Sequence, residues 1–380
     1  MRPLTRAAAF ALGAVAGYAA DARFADPRRG HPVALFGTAA TRLERRLWRD
    51  DRAAGTAYTA LCVGAVAAGA LALDRTVGRR PLGRAALAAA ATWTVLGGTS
   101  LTREARTIGR SLTAGDLTAA RERLPHLCGR DPSALDGQQI ARAVVESVAE
   151  NTADAVVNAL VWGALAGTPG LLAFRAVNTL DAMVGHRSPR YARFGWASAR
   201  LDDVAGWPGA RLTALLTVAA APEPRTAWRV WRRDGSAHPS PNAGQAESAF
   251  AGAVGVRLGG TLRYPHEPKG APVPKATSDE RAVAAPPAEG GGRVPESGPL
   301  LSEGGQGGRT SAPDQERPEA SAESRERVEH RPVLGEELRP VTVDDIERAC
   351  TLSRRVTALA LGTTVAGHVL LRLLMRRGRA

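Results

Sequence analysis

Uncharged, alanine-rich runs recur along this chain and alternate with polar segments that are rich in arginine. The longest, Ala53 to Leu73, gives 21 consecutive uncharged positions, and a helix needs about 20 apolar residues to cross a bilayer. The other runs are shorter or interrupted: Ala7–Ala20, Ala85–Leu101, Ala155–Phe174, Val204–Pro222 with Arg211 inside it, and Val356–Leu371. The pattern predicts an all-α fold, a polytopic membrane helix bundle with long polar loops.

A soluble all-α protein with alanine-rich core helices is the alternative interpretation of these runs. The mean hydropathy of −0.16 favours it, but polar loops and a low-complexity segment lower that average. Small residues at so many apolar positions suit close helix packing in lipid. Within the run from Ala155, the sequence Gly167-Thr168-Pro169-Gly170 predicts either a kink or a helix pair joined by a tight turn.

Residues 267–330 differ in composition from the rest of the chain. They contain no Phe, Trp or Tyr and are rich in Gly and Pro, so they cannot bury enough apolar surface to offset the cost of ordering. We predict a disordered insert there that is dispensable for activity. It separates a membrane-embedded catalytic region, residues 1–266, from residues 331–380, which add a helix opening at Asp344 and the last span to the same domain.

The charge is strongly positive but scattered. A formal charge of +13 often indicates a nucleic-acid partner, yet the chain has no basic helix and no zinc pattern, so nucleic acid is not expected. The only lysines, Lys269 and Lys275, lie in the predicted insert, which excludes a Walker-type phosphate loop and a Schiff-base lysine in the folded part. Three widely separated cysteines predict no disulfide framework.

Three carboxylates stand at helical spacing beside the apolar run from Ala155. Glu146, Glu150 and Asp154 are four residues apart, so on a helix they share one face and repel one another. A divalent metal, an arginine cluster or Mg²⁺ on a phosphate would relieve that repulsion. A solvated helix face is the alternative, but charge beside an apolar segment is costly and usually functional.

Five stretches in order resemble the CobD/CbiB family, the adenosylcobinamide-phosphate synthases of cobalamin biosynthesis. They are HPVALFG (31–37), ESVAENTADAVV (146–157), FRAVNTLDAMVGHR (174–187), RFGWASARLDD (193–203) and HPSPNAGQAESAFAGAVGVRLGG (238–260). Three departures stand out: Ala25 where the family usually has Gly, Gly206 for a common Asn, and Gln245-Ala246 for a usual Trp-Pro.

The resemblance implies a multi-span enzyme of the cell membrane that uses ATP and Mg²⁺. It would join adenosylcobyric acid to (R)-1-amino-2-propanol O-phosphate through an amide bond. Its partners would be these two substrates, membrane lipid and other corrinoid-assembly enzymes. The arginine content of the polar loops predicts that the active-site loops face the cytoplasm.

The residues suit that chemistry in three groups. Mg²⁺ on nucleotide phosphates needs protein carboxylates, and the candidates are Glu146, Glu150, Asp154, Asp202 and Asp203. Because the folded part has no lysine, we expect arginines and polar side chains to bind the substrate and the phosphate groups. The candidates are Asn151, Asn178, Asp181, Arg187, Arg193, Arg200, Ser240 and Asn242. His238 is the candidate general base, with a structural role next to Pro239 as its alternative; Glu146, Glu150 and Asp154 complete the catalytic set.

Two rival functions use the same features. One is a Mg²⁺-dependent membrane phosphotransferase, since Asp136-Gly137…Ala141-Arg142 resembles the signature of the CDP-alcohol phosphotransferases with one residue too many. The other is a non-catalytic membrane scaffold or corrinoid transporter that uses the loops as a docking surface. ATP binding without turnover would favour the scaffold.

Overall fold

Helices dominate the fold, and capping residues or glycines set many of their ends. A computed structural model describes residues 3–27, 30–133, 135–264 and 327–377. The helices are α1 (Pro3–Phe24), α2 (Pro32–Leu47), α3 (Arg52–Thr76), α4 (Pro81–Leu96), α5 (Gly98–Thr113), α6 (Leu117–Arg123), α7 (Gly137–Asn151), α8 (Asn158–Leu180), α9 (Trp196–Ala220), α10 (Pro224–Asp234), α11 (Ala243–Val254) and α12 (Asp344–Arg377). Short 3₁₀ turns follow α3 (Val77–Arg79) and α6 (Leu124–His126).

Local chemistry explains where the helices around the carboxylates begin. The Asp51 side chain accepts a hydrogen bond from the Ala54 N–H at the start of α3. Asp136 and Gln139 form a reciprocal capping box at the start of α7, which satisfies two N–H groups that a helix end leaves unpaired. Helix α12 opens at Asp344, as the sequence predicts.

Within the described residues, three helical segments are long and apolar enough to cross a membrane: Arg52–Arg79, Gly137–Gly185 and Asp344–Met375. Large apolar side chains project outward from all three: Leu61 on α3, Leu165 on α8 and Leu370 on α12 are 55%, 51% and 57% exposed. Such exposed apolar surface is typical of a membrane-associated protein. The predicted runs in α1, α4 and α9 are also helical, but these helices are shorter or less apolar, so their crossing remains a prediction.

The middle segment folds back on itself at Gly167, whose φ of 70° and ψ of −156° break the helix. A Cβ placed on Gly163 would lie 3.4 Å from the Leu171 Cβ, whereas eight residues of straight helix span about 12 Å. Of the two alternatives left open by the sequence, the structure therefore favours the helix pair. From Asp154 to the turn the arm rises about 20 Å, less than the ~30 Å hydrocarbon core.

We expect Gly167→Ala to destabilise the protein by about 1–3 kcal/mol, because its backbone conformation is almost restricted to glycine. An added Cβ would meet nothing nearer than 3.9 Å, so the cost would come from the backbone alone. The matched control is Gly64→Ala in the middle of α3, where the added Cβ also has open space but helical geometry favours Ala by about 1 kcal/mol. Thermal unfolding in detergent should shift in opposite directions; a loss of stability in both variants would contradict the prediction.

The all-α expectation is confirmed, with one small two-stranded sheet beside the helices. Strands β1 (Leu258–Tyr264) and β2 (Arg327–Leu334) pair into a two-stranded sheet. Strand β2 starts at Arg327, so the last four residues of the predicted insert are a strand, and the rest of that insert lies outside the described residues. β1 precedes most of the insert and β2 follows it. The entropic cost of closing a loop between two strands rises only slowly with the length of the loop.

Candidate active site

Two π-helical turns, one directly before α8 and one directly after it, contain acidic side chains. The first covers Thr152–Val157 and contains Asp154; the second covers Asp181–Gly185 and begins at Asp181. A π turn inserts an extra residue into a helix and frequently occurs at functional sites. Because α8 reverses at Gly167, both turns lie at the same end of the hairpin.

Four half-buried carboxylates from three segments of the chain repel one another at this end. Asp154 feels the charges of Asp202, Glu150 and Asp181, with Arg175 as the opposing cation. Burial, and next the charge of Asp181, raise the pKa of Asp202 to about 7, although a hydrogen bond to Asn178 opposes the shift. We call Glu150, Asp154, Asp181 and Asp202 the carboxylate cluster.

The cluster is short of positive charge. The Asp202 Oδ1 atom is buried without a hydrogen-bond partner among the described residues, which is uncommon in folded proteins. Arg175 donates to the Asn178 side chain at 3.3 Å and is shared electrostatically between Asp154 and Asp26. A bound cation would satisfy the orphaned oxygen and offset the mutual repulsion.

Oxygen ligands of this kind suit Mg²⁺, the predicted metal. Within the described part of the chain, no three Asp, Glu, His or Cys side chains converge as a ready-made metal site. Mg²⁺ commonly takes only one or two protein carboxylates and completes its shell with phosphate oxygens and water. The residues therefore fit a metal that arrives with a nucleotide; Mg²⁺ and ATP remain predictions.

Glu146 has a different environment from the other two carboxylates of its helical row. It is 4% exposed, and its Oε2 accepts a hydrogen bond from Arg130 at 2.7 Å. Its Oε1 accepts from the Gly259 N–H at 2.8 Å, with Arg142 at 3.8 Å. Both oxygens are committed, so the geometry argues against Glu146 as a metal ligand and favours a role in anchoring β1 to α7.

Glu247 belongs to the site although the sequence analysis did not single it out. It lies on α11, is 1% exposed, and its Oε1 has no hydrogen-bond partner among the described residues. Burial, followed by the charges of Glu146 and Glu150, raises its pKa well above the ordinary value, while Arg331 and Arg130 oppose the shift. Glu247 is the one charged residue of α11, a helix of mostly small residues, and this is the sequence feature that could have identified it.

The His-Pro-Ser-Pro-Asn segment forms the loop before α11 and is held by its own side chains. The Ser240 hydroxyl accepts from the Asn242 and Ala243 N–H groups at 3.3 and 3.2 Å. Asn242 donates to the Asp203 carbonyl at 2.8 Å and accepts from Arg211 at 2.9 Å. Ser240 and Asn242 therefore fix the loop against α9; binding of substrate by either one remains a prediction.

His238 is oriented by two donors. Its Nδ1 accepts from the Ser240 N–H at 3.0 Å, and its Nε2 lies 3.2 Å from an Arg331 nitrogen. A neutral imidazole that accepts at Nδ1 carries its proton on Nε2. The Arg331 guanidinium can only donate as well, so the Ser240 N–H and Arg331 compete for the single acceptor nitrogen of a neutral ring. The contacts therefore do not fix the tautomer, and the role of His238 as general base remains a prediction.

The remaining predicted residues divide by location. Arg200 lies 3.7 Å from the Asp203 carboxylate, and Arg187 acts on the same carboxylate electrostatically, so these two arginines border the site. The Arg193 side chain is exposed and makes no hydrogen bond or ion pair with another described residue. The Asn151 amide donates to the Ser147 carbonyl at 2.9 Å, a contact within its own helix.

Comparison with known proteins decides the family. The sequence profile of the family described as CobD/Cbib protein matches residues 14–285, more than half of the chain. This chain belongs to the CobD/CbiB family. The family match includes all five stretches from which the resemblance was argued, and thus every member of the carboxylate cluster.

Curated relatives of this family member are similar over most of their length. One from Mycobacterium tuberculosis, named cobalamin biosynthesis protein CobD, is 56% identical over 68% of this chain and 83% of its own. Relatives of the same name are 44% identical in Geobacter metallireducens, over 72% and 87%, and 41% identical in Rhodobacter capsulatus, over 62% and 76%. No solved structure matches.

The departures from the family pattern have local explanations. Ala25 has a φ of 58° and is, in the part of the chain that the structure describes, the one non-glycine residue in the left-handed region, where glycine is strain-free. Gln245 accepts a hydrogen bond from the Trp231 indole at 2.9 Å and donates to the Gly235 carbonyl at 2.7 Å. Gly206 lies against Asn242, where an added Cβ would come within 2.7 Å of its amide. None of these positions is a member of the carboxylate cluster.

Proposed function

We propose that this protein acts in cobalamin biosynthesis as an adenosylcobinamide-phosphate synthase. It would join the carboxylate of adenosylcobyric acid to the amine of (R)-1-amino-2-propanol O-phosphate, with ATP cleavage driving amide formation. Membership of the CobD/CbiB family and relatives named for cobalamin biosynthesis support the pathway. The observation that carries the chemistry is the carboxylate cluster, assembled from α7, the two π turns and α9.

The proposed reaction needs groups that bind phosphates and groups that handle the amine. A bound Mg²⁺ would supply the charge that neutralises nucleotide phosphates during phosphorylation of the corrinoid carboxylate. Asp154, Asp181 and Asp202 are the residues that would hold it. Because the folded part has no lysine, Arg175 and the bordering Arg187 and Arg200 would bind the phosphoryl oxygens, for which the guanidinium fork is well suited.

The amine substrate would bind at the neighbouring glutamates. Glu150 and Glu247 lie within electrostatic reach of each other and of Arg331. A substrate ammonium between these carboxylates would be stabilised, and the phosphate of the same substrate would bind to Arg331, which lies beside His238. One of the two carboxylates would accept a proton from the ammonium, and the resulting free amine would then attack the activated carboxylate from beside the nucleotide site, where proximity of the reactants lowers the barrier to amide formation.

One assay tests the proposal. Purified protein in detergent is given adenosylcobyric acid, aminopropanol phosphate and Mg-ATP, and the corrinoid is followed by mass spectrometry. The expected result is a corrinoid heavier by one aminopropanol phosphate less one water, formed only with hydrolysable ATP. Corrinoid binding without any product, under conditions where all three ligands bind, would instead favour the scaffold or transporter.

Sidedness of the site gives a separate prediction. Arg52, at the start of α3, stacks on Trp196 beside the site, with 5.3 Å between the guanidinium and the ring centroid. The start of α3 is therefore on the same side of the membrane as the site. If α3 crosses the membrane, its other end lies on the opposite side. We expect exposed positions near the site, Ala192→Cys and Ser236→Cys, to resist a membrane-impermeant maleimide in intact cells. Thr76→Cys should react.

The engineered cysteines are introduced into a variant in which the native thiols are replaced by Ala, so that only the new thiols can react. The native thiols are Cys62, Cys128 and Cys350. Permeabilised cells provide the accessibility control, because all three engineered cysteines should then react. Labelling of both site-side positions from outside would reverse the predicted orientation.

A further inference from the structure

A cavity of about 580 Å³ lies between α1, α5 and α12, lined by residues outside the carboxylate cluster. Four arginines line it: Arg103, Arg106 and Arg110 from α5, and Arg354 from α12. The spacing on α5 is three and then four residues, so these three side chains share one helical face. The amino-acid sequence alone gave no reason to connect this face with residue 354, which lies more than 240 positions away.

One ion pair fixes the geometry of the cavity. Arg106 donates to both carboxylate oxygens of Glu347, at 2.6 and 2.8 Å, and so ties α5 to α12. The Cys350 thiol lies 3.8 Å from the Thr102 carbonyl oxygen, so the two helices run in opposite directions here. Residues after Glu347 on α12 therefore lie beside residues before Arg106 on α5, which brings Arg354 and Arg103 to the same end.

Arg103 and Arg354 are the uncommitted cations of this cavity. Both side chains are exposed, and neither makes a hydrogen bond or ion pair with another residue in the described ranges. Arg103 acts electrostatically on Asp21, which is 3% exposed and whose Oδ2 accepts from the Thr99 N–H and hydroxyl at 3.2 and 3.0 Å. Arg354 acts electrostatically on Glu347. Glu347 is held by Arg106 at both oxygens and Asp21 by Thr99 at one, and neither carboxylate hydrogen-bonds to Arg103 or Arg354, so the two guanidinium forks are open.

The location restricts the ligand. The uncharged run Val356–Leu371 begins two residues after Arg354, so this end of the cavity lies where the polar part of α12 meets its apolar part. Arginines at such a boundary are typical sites for phosphate groups at a membrane surface. The volume lies within the range of small-molecule sites and is far larger than a lone ion requires.

We propose that Arg103 and Arg354 bind the phosphate group of an organic phosphate in this cavity, at a site separate from the carboxylate cluster. Two guanidinium forks can hold a phosphate through paired hydrogen bonds. The phosphate can belong to a soluble phosphomonoester or to the head group of an anionic phospholipid, since both present the same oxygens. The proposal does not depend on the reaction catalysed at the cluster.

The test compares two double variants of the full-length protein in detergent. Arg103→Gln/Arg354→Gln removes both proposed ligands. Arg229→Gln/Arg355→Gln removes the same charge from exposed positions outside the cavity. Circular dichroism and thermal unfolding establish that both remain folded. Titration calorimetry with sn-glycerol 3-phosphate measures the soluble arm. Native mass spectrometry after exchange into phosphatidylglycerol and phosphatidylcholine mixtures measures the lipid arm.

We expect at least one arm to show binding that the cavity variant weakens by about tenfold or more, with the control variant unchanged. Loss of glycerol phosphate binding alone would assign a soluble ligand, and loss of retained phosphatidylglycerol alone would assign a lipid. Absence of binding in both arms, or an equal loss in the control variant, would overturn the proposal.

Discussion

Asp154→Asn should lower the rate of adenosylcobinamide-phosphate formation by about a hundredfold or more, equivalent to about 2.7 kcal/mol in the barrier, while the fold survives. Asp154 has Asp202, Glu150 and Asp181 as electrostatic neighbours, so its removal relieves repulsion in the metal-free protein. We therefore expect an unchanged or higher melting temperature without Mg²⁺. The additional stabilisation by Mg-ATP should be lost, because a ligand stabilises the folded state only as far as it binds.

The exposed Glu223 on the loop before α10 provides the matched control, since Glu223→Gln also removes one carboxylate. Glu150→Gln, one helical turn before Asp154, should reproduce the loss of activity. Product formation at limiting Mg²⁺ and melting curves with and without Mg-ATP are the measurements. Wild-type turnover in Asp154→Asn at limiting Mg²⁺ would return this helical row to the solvated-face interpretation.

Glu146→Gln, unlike Asp154→Asn, should destabilise the fold. We expect the free energy of unfolding to fall by roughly 3 kcal/mol. Its carboxylate accepts from Arg130 and from the Gly259 N–H in a buried setting, and neutralising one partner of a buried pair leaves the other charge poorly compensated. The Gln amide can still accept one hydrogen bond but cannot balance the guanidinium. Thermal and denaturant unfolding in detergent should both report the loss.

A double-mutant cycle separates this pair from a general effect of the substitution. Arg130→Gln combined with Glu146→Gln should cost less than the sum of the two single changes, with a coupling of about 1–3 kcal/mol. Additive losses would show that the two side chains do not stabilise each other. The contrast between Glu146 and Asp154, eight residues apart on one face, distinguishes an anchoring carboxylate from a catalytic one.

The helical content and the position of the site could be predicted from local patterns. The uncharged runs give helices, and the capping signals fix where α7 and α12 begin. The π turns could not be predicted, because an inserted residue depends on the packing around it and leaves no periodic signature. They decide how Asp154 and Asp181 come together.

Long-range partners account for the other differences. Glu146 looked equivalent to Glu150 and Asp154 by spacing, but its partners Arg130 and Gly259 come from a preceding loop and a strand more than a hundred residues later. The contact of His238 with Arg331, 93 positions later in the chain, could not be predicted from the sequence either. Such contacts follow from tertiary structure and not from residue spacing.

The turn at Gly167 also affects how topology experiments on this protein should be designed. Since the α8 hairpin returns to the end it left, it contributes no net passage across the bilayer, although hydropathy counts it as one. Reporter fusions placed before Gly137 and after Gly185 should therefore give the same signal. If the flanking helices cross, a count that takes this segment as one crossing would assign the C-terminus to the wrong side of the membrane.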